Sequence, residues 1–464
     1  MHSKRGWFLG ALTVGLLLLA GCGQQGAPSG AGVTVQGKLL DLCGQPLAYK
    51  TVFVAGHDPV LTGSDGSFTI EDVQTPYDLV ISNAYLMPEA RQEIPVLIYA
   101  GLTKTEPVLW ASDAGAPGNA RCAHASVSGA ITPAQGSDEY RNGAALVLGP
   151  YMSADDFAYD ANPSYDLDLY FDPGLAGDAT LLGLQWRRDP VSGNATAFLA
   201  AKRATVTLGD GGAVNQDLAL EDIQSRDLSV GVELPEVMSL EEVAHYVTLD
   251  GKTLPLQTAS LDPDQAGADG SFQLVGPVGA GTGSAVVAWA TYGGFGPLGR
   301  YGSLDLSGIE GYASAWQQVP ADNGTATLSL PDPLVPIAPL NGATIDFDTA
   351  FSWTGPEGAL YDVIIGLDQS GPDVSVEVIT SGTKLQFPDL SDMGMRFDNA
   401  RYGYWALVGF GGAAVPGSAD DLASQESIDF LAPLYLEFQA PQGGSGYFEF
   451  VDAGEFAFPG KTIR

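Results

Sequence analysis

The chain has 464 residues, with 20 Lys or Arg against 55 Asp or Glu, so its formal net charge at pH 7 is −35. Such a surface repels phosphate backbones and anionic headgroups, which argues against a nucleic-acid partner and against a basic patch that binds membranes. Hydrophobic residues make up 45% of the chain, enough at this length for three to four separate cores.

The N-terminus has the order of segments that is typical of a secretory signal: a positively charged start, an apolar run and then small residues. Lys4 and Arg5 give it a positive start, and an almost uninterrupted apolar run follows from Trp7 to Leu19. A helix of about 13 residues is about 20 Å long, whereas a spanning helix needs about 20 residues to cross about 30 Å of hydrocarbon. Residues 1–21 are therefore predicted to be an export signal that is removed.

The signal ends in Leu19-Ala20-Gly21-Cys22, which resembles the lipobox of bacterial lipoproteins position by position. The resemblance implies thioether attachment of a diacylglycerol to Cys22, cleavage before it, and acylation of the new amino terminus, for example by palmitate. Several acyl chains anchor a protein persistently, whereas one alone anchors it marginally. Gly23 stands where an inner-membrane retention signal carries Asp, which implies an outer-membrane or cell-surface destination. An ordinary signal peptide with a chance Cys is the alternative.

The mature chain is more acidic than the precursor. Loss of Lys4 and Arg5 leaves 18 of the 20 basic residues against 55 acidic ones, a net charge of −37. We interpret this charge as favouring solubility outside the cell, with a cation-binding role as the alternative. Residues 22–32 are rich in Gly, Gln, Ala, Pro and Ser and are predicted to be a flexible tether.

Two cysteines, Cys43 and Cys122, remain once Cys22 is acylated. In an oxidising compartment an even pair favours a disulfide bond. The bond would close a loop of roughly 80 residues and contribute about 4 kcal/mol in the chain-entropy model. Two unpaired thiols are the alternative. A zinc site is less favoured, because no group of residues has ligand spacing.

Residues 33–112 are predicted to be short strands separated by turns. Alternation begins at Val33, and the Asp-Gly pair in Ser64–Ser67 indicates a hairpin turn. Gly-x-Leu-x-Asp-x-x-Gly-x-Pro-Leu over Gly37–Leu47, followed by Asp65-Gly-Ser-Phe-Thr-Ile70, resembles a carboxypeptidase regulatory-like domain. This resemblance implies a small transthyretin-like β-sandwich that carries no catalytic residues.

Two further β-rich domains are predicted next, over 127–225 and 226–332. The first has regular short strand candidates typical of another sandwich. In the second, Ser239–Ala244 is predicted to form a short helical turn, because Ser239 precedes Glu242 by three residues. Asp269-Gly-Ser-Phe272 repeats the earlier Asp-Gly turn, which indicates an internal repeat.

The last domain is predicted over 334–464. A Trp strand at Phe351–Trp353, a Tyr strand at Tyr361–Ile365 and a Tyr-rich strand at Tyr402–Val408 have a spacing that resembles a fibronectin type III-like sandwich. The likeness ends near Gly411. The remaining Phe-rich strands either pack on this domain or begin something else.

No arrangement of residues indicates catalysis. The mature histidines are His57, His124 and His245, and we expect each on the surface or in a turn, which leaves little material for a general base. Neither a Gly-x-Ser-x-Gly nor a His-Glu-x-x-His motif occurs. Gly294–Gly299 fits Gly-x-Gly-x-x-Gly, but Pro297 lies inside it and no helix pattern follows. No cofactor is expected.

Two acidic segments and one aromatic segment have competing interpretations. The acidic side chains are more readily solvated turns than calcium ligands, because the calcium-loop glycine and distal Glu are missing; they are Asp155, Asp156, Asp160, Asp262, Asp264 and Asp269. The aromatic side chains are more readily core than a sugar-stacking face; they are Tyr151, Phe157, Tyr159, Tyr165 and Tyr170.

The prediction is an all-β chain of tandem β-sandwiches, transthyretin-like and fibronectin/immunoglobulin-like, after a signal peptide and a tether. We expect a non-catalytic envelope protein, held to the membrane through Cys22, that acts in adhesion, scaffolding or ligand capture. Its partner would be an envelope glycan or protein. A carbohydrate-binding or carbohydrate-processing accessory lipoprotein is the alternative, and a row of exposed aromatics on one sheet face would favour it. A hydrolase would need paired carboxylates in an open cleft.

Overall fold

The computed structural model describes residues 32–86, 93–113, 122–132, 139–158, 163–293, 300–301, 304–305, 310–320, 324–346, 348–369, 373–386, 390, 400–431 and 444–458. In these ranges almost all regular structure is β-strand, arranged as four successive β-sandwiches, so the predicted fold class is confirmed. No helix among them is long and apolar enough to cross a membrane. The apolar N-terminal run and Cys22 lie outside the described residues.

Sandwich 1 contains β1 (Val33–Leu40), β2 (Thr51–Val54), β3 (Val60–Leu61), β4 (Ser67–Val73), β5 (Tyr77–Ser82), β6 (Ala84–Tyr85), β7 (Glu93–Leu102), β8 (Val108–Trp110) and β9 (Ser112–Asp113). One sheet has the order β4–β1–β8, the other begins β3–β2–β5–β7, and β6 pairs with β9. Along β1, Val35 and Leu39 are buried while Gln36 and Lys38 are exposed. This two-residue alternation, predicted from the sequence, directs one side of the strand into the core.

Sandwich 2 contains β10 (Ala123–Thr132), β11 (Tyr140–Leu148), β12 (Tyr151–Ala158), β13 (Ser164–Phe171), β14 (Gly177–Arg188), β15 (Ala195–Leu208), β16 (Gly212–Asn215), β17 (Leu218–Ala219) and β18 (Glu221–Asp222). One sheet has the order β13–β10–β16, with β17 also on β10, and the other is β12–β11–β14–β15–β18. A single 3₁₀ turn, Pro173–Leu175, starts at Asp172, whose side chain accepts a hydrogen bond from Gly174 N.

Sandwich 3 contains β19 (Gln224–Glu233), β20 (Met238–Leu249), β21 (Lys252–Leu261), β22 (Phe272–Val278), β23 (Thr282–Gly293), β24 (Arg300–Tyr301), β25 (Leu304–Asp305), β26 (Glu310–Val319) and β27 (Thr325–Ser329). Its sheets have the orders β22–β19–β27 and β21–β20–β23–β26, and β24 pairs with β25. A 3₁₀ turn, Pro263–Gln265, follows β21.

The predicted helical turn at Ser239–Ala244 is wrong. These residues are extended in β20, which pairs with β21 on one side and β23 on the other. The spacing of Ser239 and Glu242 satisfies a capping pattern, but two ladders of backbone hydrogen bonds outweigh such a local signal. Tertiary pairing overrides local propensity here.

Sandwiches 1, 2 and 3 share one topology. In each, the first strand lies between an antiparallel fourth strand and a parallel strand from late in the sandwich, as in β4–β1–β8, β13–β10–β16 and β22–β19–β27. The repeated Asp-Gly turns are also alike: Ser67 N donates to Asp65 at 3.1 Å and Ser271 N to Asp269 at 3.0 Å. The following glycines have positive φ, which glycine adopts at little cost. The internal repeat indicated by the sequence is thus present in the geometry.

Sandwich 4 contains β28 (Val335–Ala338), β29 (Ala343–Thr344), β30 (Ala350–Thr354), β31 (Leu360–Gln369), β32 (Asp373–Thr380), β33 (Lys384–Gln386), β34 (Ala400–Gly411) and β35 (Ser445–Ala457), with helix α1 (Ala419–Leu422) and a 3₁₀ turn at Gln425–Ser427. One sheet is β28–β30–β33, and the other contains β32–β31–β34–β35. The Phe-rich final strand β35 therefore completes this sandwich and does not begin a separate unit.

Three sandwiches share one sheet. Strand β26 pairs with β35 in antiparallel fashion, and β7 pairs with β32 in parallel fashion. The result is a continuous order, β21–β20–β23–β26–β35–β34–β31–β32–β7–β5–β2–β3, with β29 beside β35. We call the β26–β35 pairing the third–fourth seam and the β7–β32 pairing the first–fourth seam. Glu93 pairs with Asp373, so the first–fourth seam joins two strands that are far apart in the sequence.

The cores cross the sandwich boundaries. The core of sandwich 1 includes Val408 and Phe410 of β34, together with apolar residues of the segment between β34 and β35. We call residues 418–431 of that segment the clasp. Another core joins sandwich 2, through Trp186 and Phe198, to Leu254 and Leu256 of sandwich 3. The four predicted domains are therefore packed as one body.

Candidate functional site

Two buried carboxyl groups lie at the first–fourth seam. Asp362 of β31 is 0% exposed and Glu377 of β32 is 5% exposed. Glu377 accepts a 2.7 Å hydrogen bond from Leu86 N of sandwich 1. Tyr99 of β7 is fully buried nearby, and its hydroxyl donates to Trp110 O at 2.7 Å. Burial, together with Glu377, raises the pKa of Asp362 well above its usual range.

A buried carboxyl group also lies at the third–fourth seam. Glu449 of β35 is 0% exposed, and Leu334 N donates to its Oε1 at 3.3 Å. Burial raises the pKa of Glu449 to about 8. Its charge would in turn raise the pKa of three tyrosines that surround it, for each of which burial is the larger cause; they are Tyr292, Tyr361 and Tyr447.

The clasp lies against the β7–β8 turn of sandwich 1. Thr103 N donates to Asp420 Oδ1 at 2.8 Å and Lys104 N donates to the same oxygen at 3.2 Å. Trp110 Nε1 donates to Ser424 O at 2.8 Å. Burial acts to raise the pKa of Asp420, but these hydrogen bonds from Thr103 and Lys104 outweigh it, so the net pKa is lowered.

The far end of the clasp approaches the other two sandwiches. Ile428 packs against the cores of both sandwich 1 and sandwich 2. The charge of Asp429 raises the pKa of Lys252 in sandwich 3, although burial of that lysine lowers it overall. Asp429 also adds to the rise in the pKa of Tyr151 in sandwich 2, whose main cause is burial. The clasp thus packs on sandwiches 1 and 2, and the charge of its Asp429 acts on Lys252 of sandwich 3.

One sheet face beside the third–fourth seam has a cluster of aromatic rings, which we call the aromatic patch: the exposed Tyr312 and the half-buried Phe448 and Phe450, which also pack against the core of sandwich 1. Tyr312 is 38% exposed, and its ring centroid lies 5.3 Å from that of Phe450 and 5.6 Å from that of Phe448. The adjacent Ala313 is fully buried in the core, so Tyr312 projects from the opposite face. On the neighbouring strand, Thr291 donates to Glu241 at 2.7 Å, which places hydroxyl and carboxylate groups beside the rings.

Cys43 and Cys122 are joined, with their Cα atoms 5.2 Å apart, within the range of disulfide bonds. The bond ties the turn after β1 to the start of sandwich 2. The same turn is held by Tyr151 of sandwich 2, whose hydroxyl donates to Leu42 O at 2.9 Å. Cys22, the predicted lipidation site, lies outside the described residues.

The expectation that all three histidines lie on the surface or in turns is wrong for His245. It is 0% exposed within β20, and Nδ1 lies 2.6 Å from Thr258 Oγ1. Burial, with a smaller contribution from Arg226, lowers its pKa to about 3, so it is neutral at pH 7. The sequence around His245 has no alternation of apolar and polar residues that would have distinguished a buried position from an exposed one. His124, partly exposed, pairs with Asp168 at 2.9 Å.

The acidic segments serve local structure. Asp262 caps the 3₁₀ turn 263–265, and Asp269 caps its Asp-Gly turn. Asp155 and Asp156 lie on strand β12 and not in a loop, and Asp156 pairs with Arg141 at 2.9 Å. Within the part of the chain that the structure describes, no group of three or more His, Cys, Asp or Glu side chains is placed to hold a metal ion. Asp160 falls outside that part.

The aromatic segment of sandwich 2 does not form one face. Tyr151 and Tyr165 are buried, 3% exposed each, whereas Tyr170 is 42% exposed and its ring lies 4.8 Å from that of His124. Tyr159, the side chain of Phe157 and the glycine motif 294–299 are outside what the structure describes.

The buried carboxyl groups at the seams were not predicted from the sequence. A signal was present, because each interrupts an apolar strand: Asp362 follows Leu-Tyr and precedes Val-Ile-Ile, and Glu377 stands between Val376 and Val378. A charged residue within such a run is rarely buried unless it is paired or neutralised. Which strands it would face could not be inferred without the pairing of the sheet.

Comparisons with known proteins identify no family. No family model matches the chain, and no curated protein matches it. Among solved structures, the Bacillus anthracis TIE protein is similar over 64% of this chain and 50% of its own, at 7% identity and a TM-score of 0.16. This chain therefore spans half the length of that protein.

Two other solved structures are similar. The match to a Streptococcal ancillary pilin covers 64% of this chain and 99% of the pilin chain, at 10% identity and a TM-score of 0.15. The match to a putative cell adhesion protein from Parabacteroides distasonis covers 57% of this chain and 99% of that protein's chain, at 12% identity and a TM-score of 0.17. Scores of this size carry no argument, so the fold description rests on the strand topology above.

Proposed function

We propose that this chain is a non-catalytic protein of the cell envelope that acts in adhesion, scaffolding or ligand capture. The observation that supports it is the fusion of three sandwiches into one sheet, with the clasp of sandwich 4 packed against sandwiches 1 and 2. Side chains with strongly shifted pKa values mark catalytic sites when they line a cleft, but structural networks shift pKa values too. Here Asp362, Glu449 and His245 are each 0% exposed, closed to any substrate.

Anchoring through acyl chains on Cys22, at an outer membrane or cell surface, is part of the proposal. With 55 acidic residues against 20 basic ones, the chain is repelled by an anionic membrane surface, so acyl chains are the favoured means of attachment. A Cys22→Ser variant is expected to move from the membrane fraction to the soluble fraction, whereas Cys43→Ser should stay with the membrane. Persistence of Cys22→Ser in washed membranes would overturn the anchor.

The domain assignments belong to the same proposal. Sandwich 1 is assigned as carboxypeptidase regulatory-like and sandwich 4 as fibronectin type III-like. Both combine a three-stranded sheet with a four-stranded portion of the shared sheet, which fits the small sandwiches that the sequence motifs imply. A module of either type adds binding surface or spacing rather than chemistry, in keeping with the non-catalytic role.

Carbohydrate binding is the second candidate, and the aromatic patch favours it. The exposed ring of Tyr312, beside the half-buried rings of Phe448 and Phe450, offers apolar surface to a sugar, and the neighbouring Thr291–Glu241 pair offers hydrogen-bonding groups. A negative surface also selects against anionic ligands. The expected ligand class is therefore neutral glycans of the envelope.

A binding screen of the soluble fragment from Gly23 onward, against glycans and envelope extracts, tests both candidates. If the patch binds glycans, Tyr312→Ala should weaken binding about five- to twelvefold, which corresponds to the loss of one aromatic contact of about 1–1.5 kcal/mol. Tyr170→Ala, which removes a similarly exposed ring in sandwich 2, is the matched control. Binding of an envelope protein that Tyr312→Ala leaves unchanged would support the first candidate and reject the second.

A further inference from the structure

The carboxyl groups of Asp362 and Glu377 are neighbours on one face of the shared sheet. In the β31–β32 ladder Asp362 pairs with Ile379, so Glu377 lies two residues along the partner strand. Side chains with this diagonal relation are on the same face and within reach of each other. Both are almost completely buried, so neither charge is shielded by water.

Two carboxyl groups this close in a core cannot both be ionised at low cost. Glu377 receives a hydrogen bond from Leu86 N, which favours its charged form. Neither oxygen of Asp362 receives a hydrogen bond from any described residue. A proton on Asp362 that is donated to Glu377 satisfies both groups, and the raised pKa of Asp362 agrees with that assignment.

The groups that face Asp362 come from three strands. Strand β32 contributes Glu377, and β7 contributes the hydroxyl of Tyr99, whose own pKa is raised by burial so that it stays neutral. Strand β34 contributes the apolar Val408, which pairs with Asp362 in the ladder. The charge that acts on Asp362 from these neighbours is thus negative.

The pair belongs to the first–fourth seam. Glu377 pairs with Leu97 across the parallel β7–β32 ladder, and its bond to Leu86 N also crosses from sandwich 4 to sandwich 1. Removal of the proton would place a second negative charge beside Glu377, inside the contact between the two sandwiches. The cost of that charge falls on this seam and not on the third–fourth seam.

We propose that Asp362 and Glu377 form a proton-operated latch, which keeps the first–fourth seam closed while Asp362 is protonated and lets it open when the proton leaves. The folded, closed state binds this proton more tightly than the open state does. Closure is therefore complete on the acidic side and is lost as pH rises. This inference is independent of the proposed function, since it concerns how sandwiches 1 and 4 stay together.

Hydrogen exchange of the full-length protein in detergent tests the latch. Protection of amides in β7 and β32, corrected for intrinsic exchange, should fall by up to about tenfold per pH unit as the pH rises through the titration of Asp362. Asp362→Asn, which cannot titrate, should abolish the dependence. Asp420→Asn, in the clasp of the same seam, should leave it intact. Constant protection, or a loss shared equally by β14 of sandwich 2, overturns the proposal.

A second measurement does not require Asp362→Asn to fold. In a Glu449→Gln background, the infrared C=O band of a protonated carboxyl group should persist at neutral pH. It should disappear on the alkaline side together with the protection of β7 and β32. If the band is absent at neutral pH, Asp362 carries no proton there and the latch does not exist.

Discussion

Sandwich 4 is joined to sandwich 3 at one seam of the shared sheet and to sandwich 1 at the other, and the two seams differ in strand direction and in sequence separation. At the third–fourth seam the strands are antiparallel, and only the short connection from β27 to β28 separates sandwich 3 from sandwich 4 in sequence. At the first–fourth seam the strands are parallel, and the paired residues Glu93 and Asp373 come from opposite ends of the described chain. Closing so long a loop costs more conformational entropy. The distant seam accordingly has extra contacts, namely the clasp and the carboxyl pair.

The seams also differ in their buried acids. Glu449 is a single carboxyl group among tyrosines, whereas Asp362 is paired with a second acid that is hydrogen-bonded across the boundary. Burial raises the pKa in both places, but only at the first–fourth seam does a second buried carboxyl group, hydrogen-bonded to the other sandwich, lie beside the first. Sandwiches 3 and 4 are adjacent in sequence, and their seam has a single described buried acid. Sandwiches 1 and 4 are distant in sequence, and their seam has in addition a pair of buried acids and the contacts of the clasp.

Loss of the shared core should have the largest effect on the first–fourth seam. Phe410→Ala removes a ring that is 2% exposed and lies 5.7 Å from Phe430 of the clasp. We expect the free energy of unfolding to fall by about 3–5 kcal/mol, measured by urea denaturation. Val191→Ala, at a site 95% exposed, should change it by less than about 0.5 kcal/mol. Equal effects of the two variants would show that the clasp does not bury Phe410.

The covalent tie between sandwiches 1 and 2 should come next. Replacing Cys43 and Cys122 by Ala is expected to lower the free energy of unfolding by about 2–4 kcal/mol, because the 79-residue separation leaves a long loop unconstrained. Mass mapping without reduction should first recover one peptide that contains both cysteines. Two thiols that react with an alkylating agent in the exported protein would contradict the pairing.

The third–fourth seam should show its own pH dependence. Burial raises the pKa of Glu449 from the usual 4.5 to about 8, so the folded state holds this proton more tightly than the unfolded state. Stability is then greatest below the usual pKa and falls as pH rises to about 8, with a slope of at most about 1.4 kcal/mol per pH unit. Glu449→Gln should flatten that part of the curve of unfolding free energy against pH. A curve unchanged by the substitution would assign the dependence to other groups.

The clasp should respond to pH in the opposite sense and more weakly. The pKa of Asp420 is lowered in the folded state, so its contribution is present above the usual pKa and is lost as pH falls. Because its hydrogen bonds are largely exposed, Asp420→Asn should cost no more than about 1 kcal/mol at neutral pH. Urea denaturation at neutral and acidic pH measures this. A larger loss at acidic pH than at neutral pH would reverse the assignment.

The local patterns predicted much of the secondary structure. The alternation around Val35 and Leu39, and the Asp-Gly turns at Asp65 and Asp269, occur as predicted. These succeed because the two-residue period and the tolerance of glycine for positive φ act within a few residues. The helical turn at Ser239 failed, since its backbone is committed to two neighbouring strands that lie far away in sequence.

The candidate site was beyond sequence reasoning. Asp362 and Glu377 looked like isolated charges in apolar strands, and their meeting depends on the register between β31 and β32. The aromatic patch likewise combines Tyr312 of sandwich 3 with Phe448 of sandwich 4, which only the third–fourth seam brings together. No spacing along the chain encodes such contacts.

The amino-acid sequence alone determined the class of this protein: an acidic, all-β chain of tandem sandwiches, because alternation, turn chemistry and net charge are properties of short segments and of composition. Only the tertiary structure decided that three sandwiches share one sheet, that the clasp of sandwich 4 packs on sandwich 1, and which acids are buried. The physical reason is that burial and charge pairing depend on contacts between strands distant in sequence. At the first–fourth seam, those contacts place Asp362 beside Glu377.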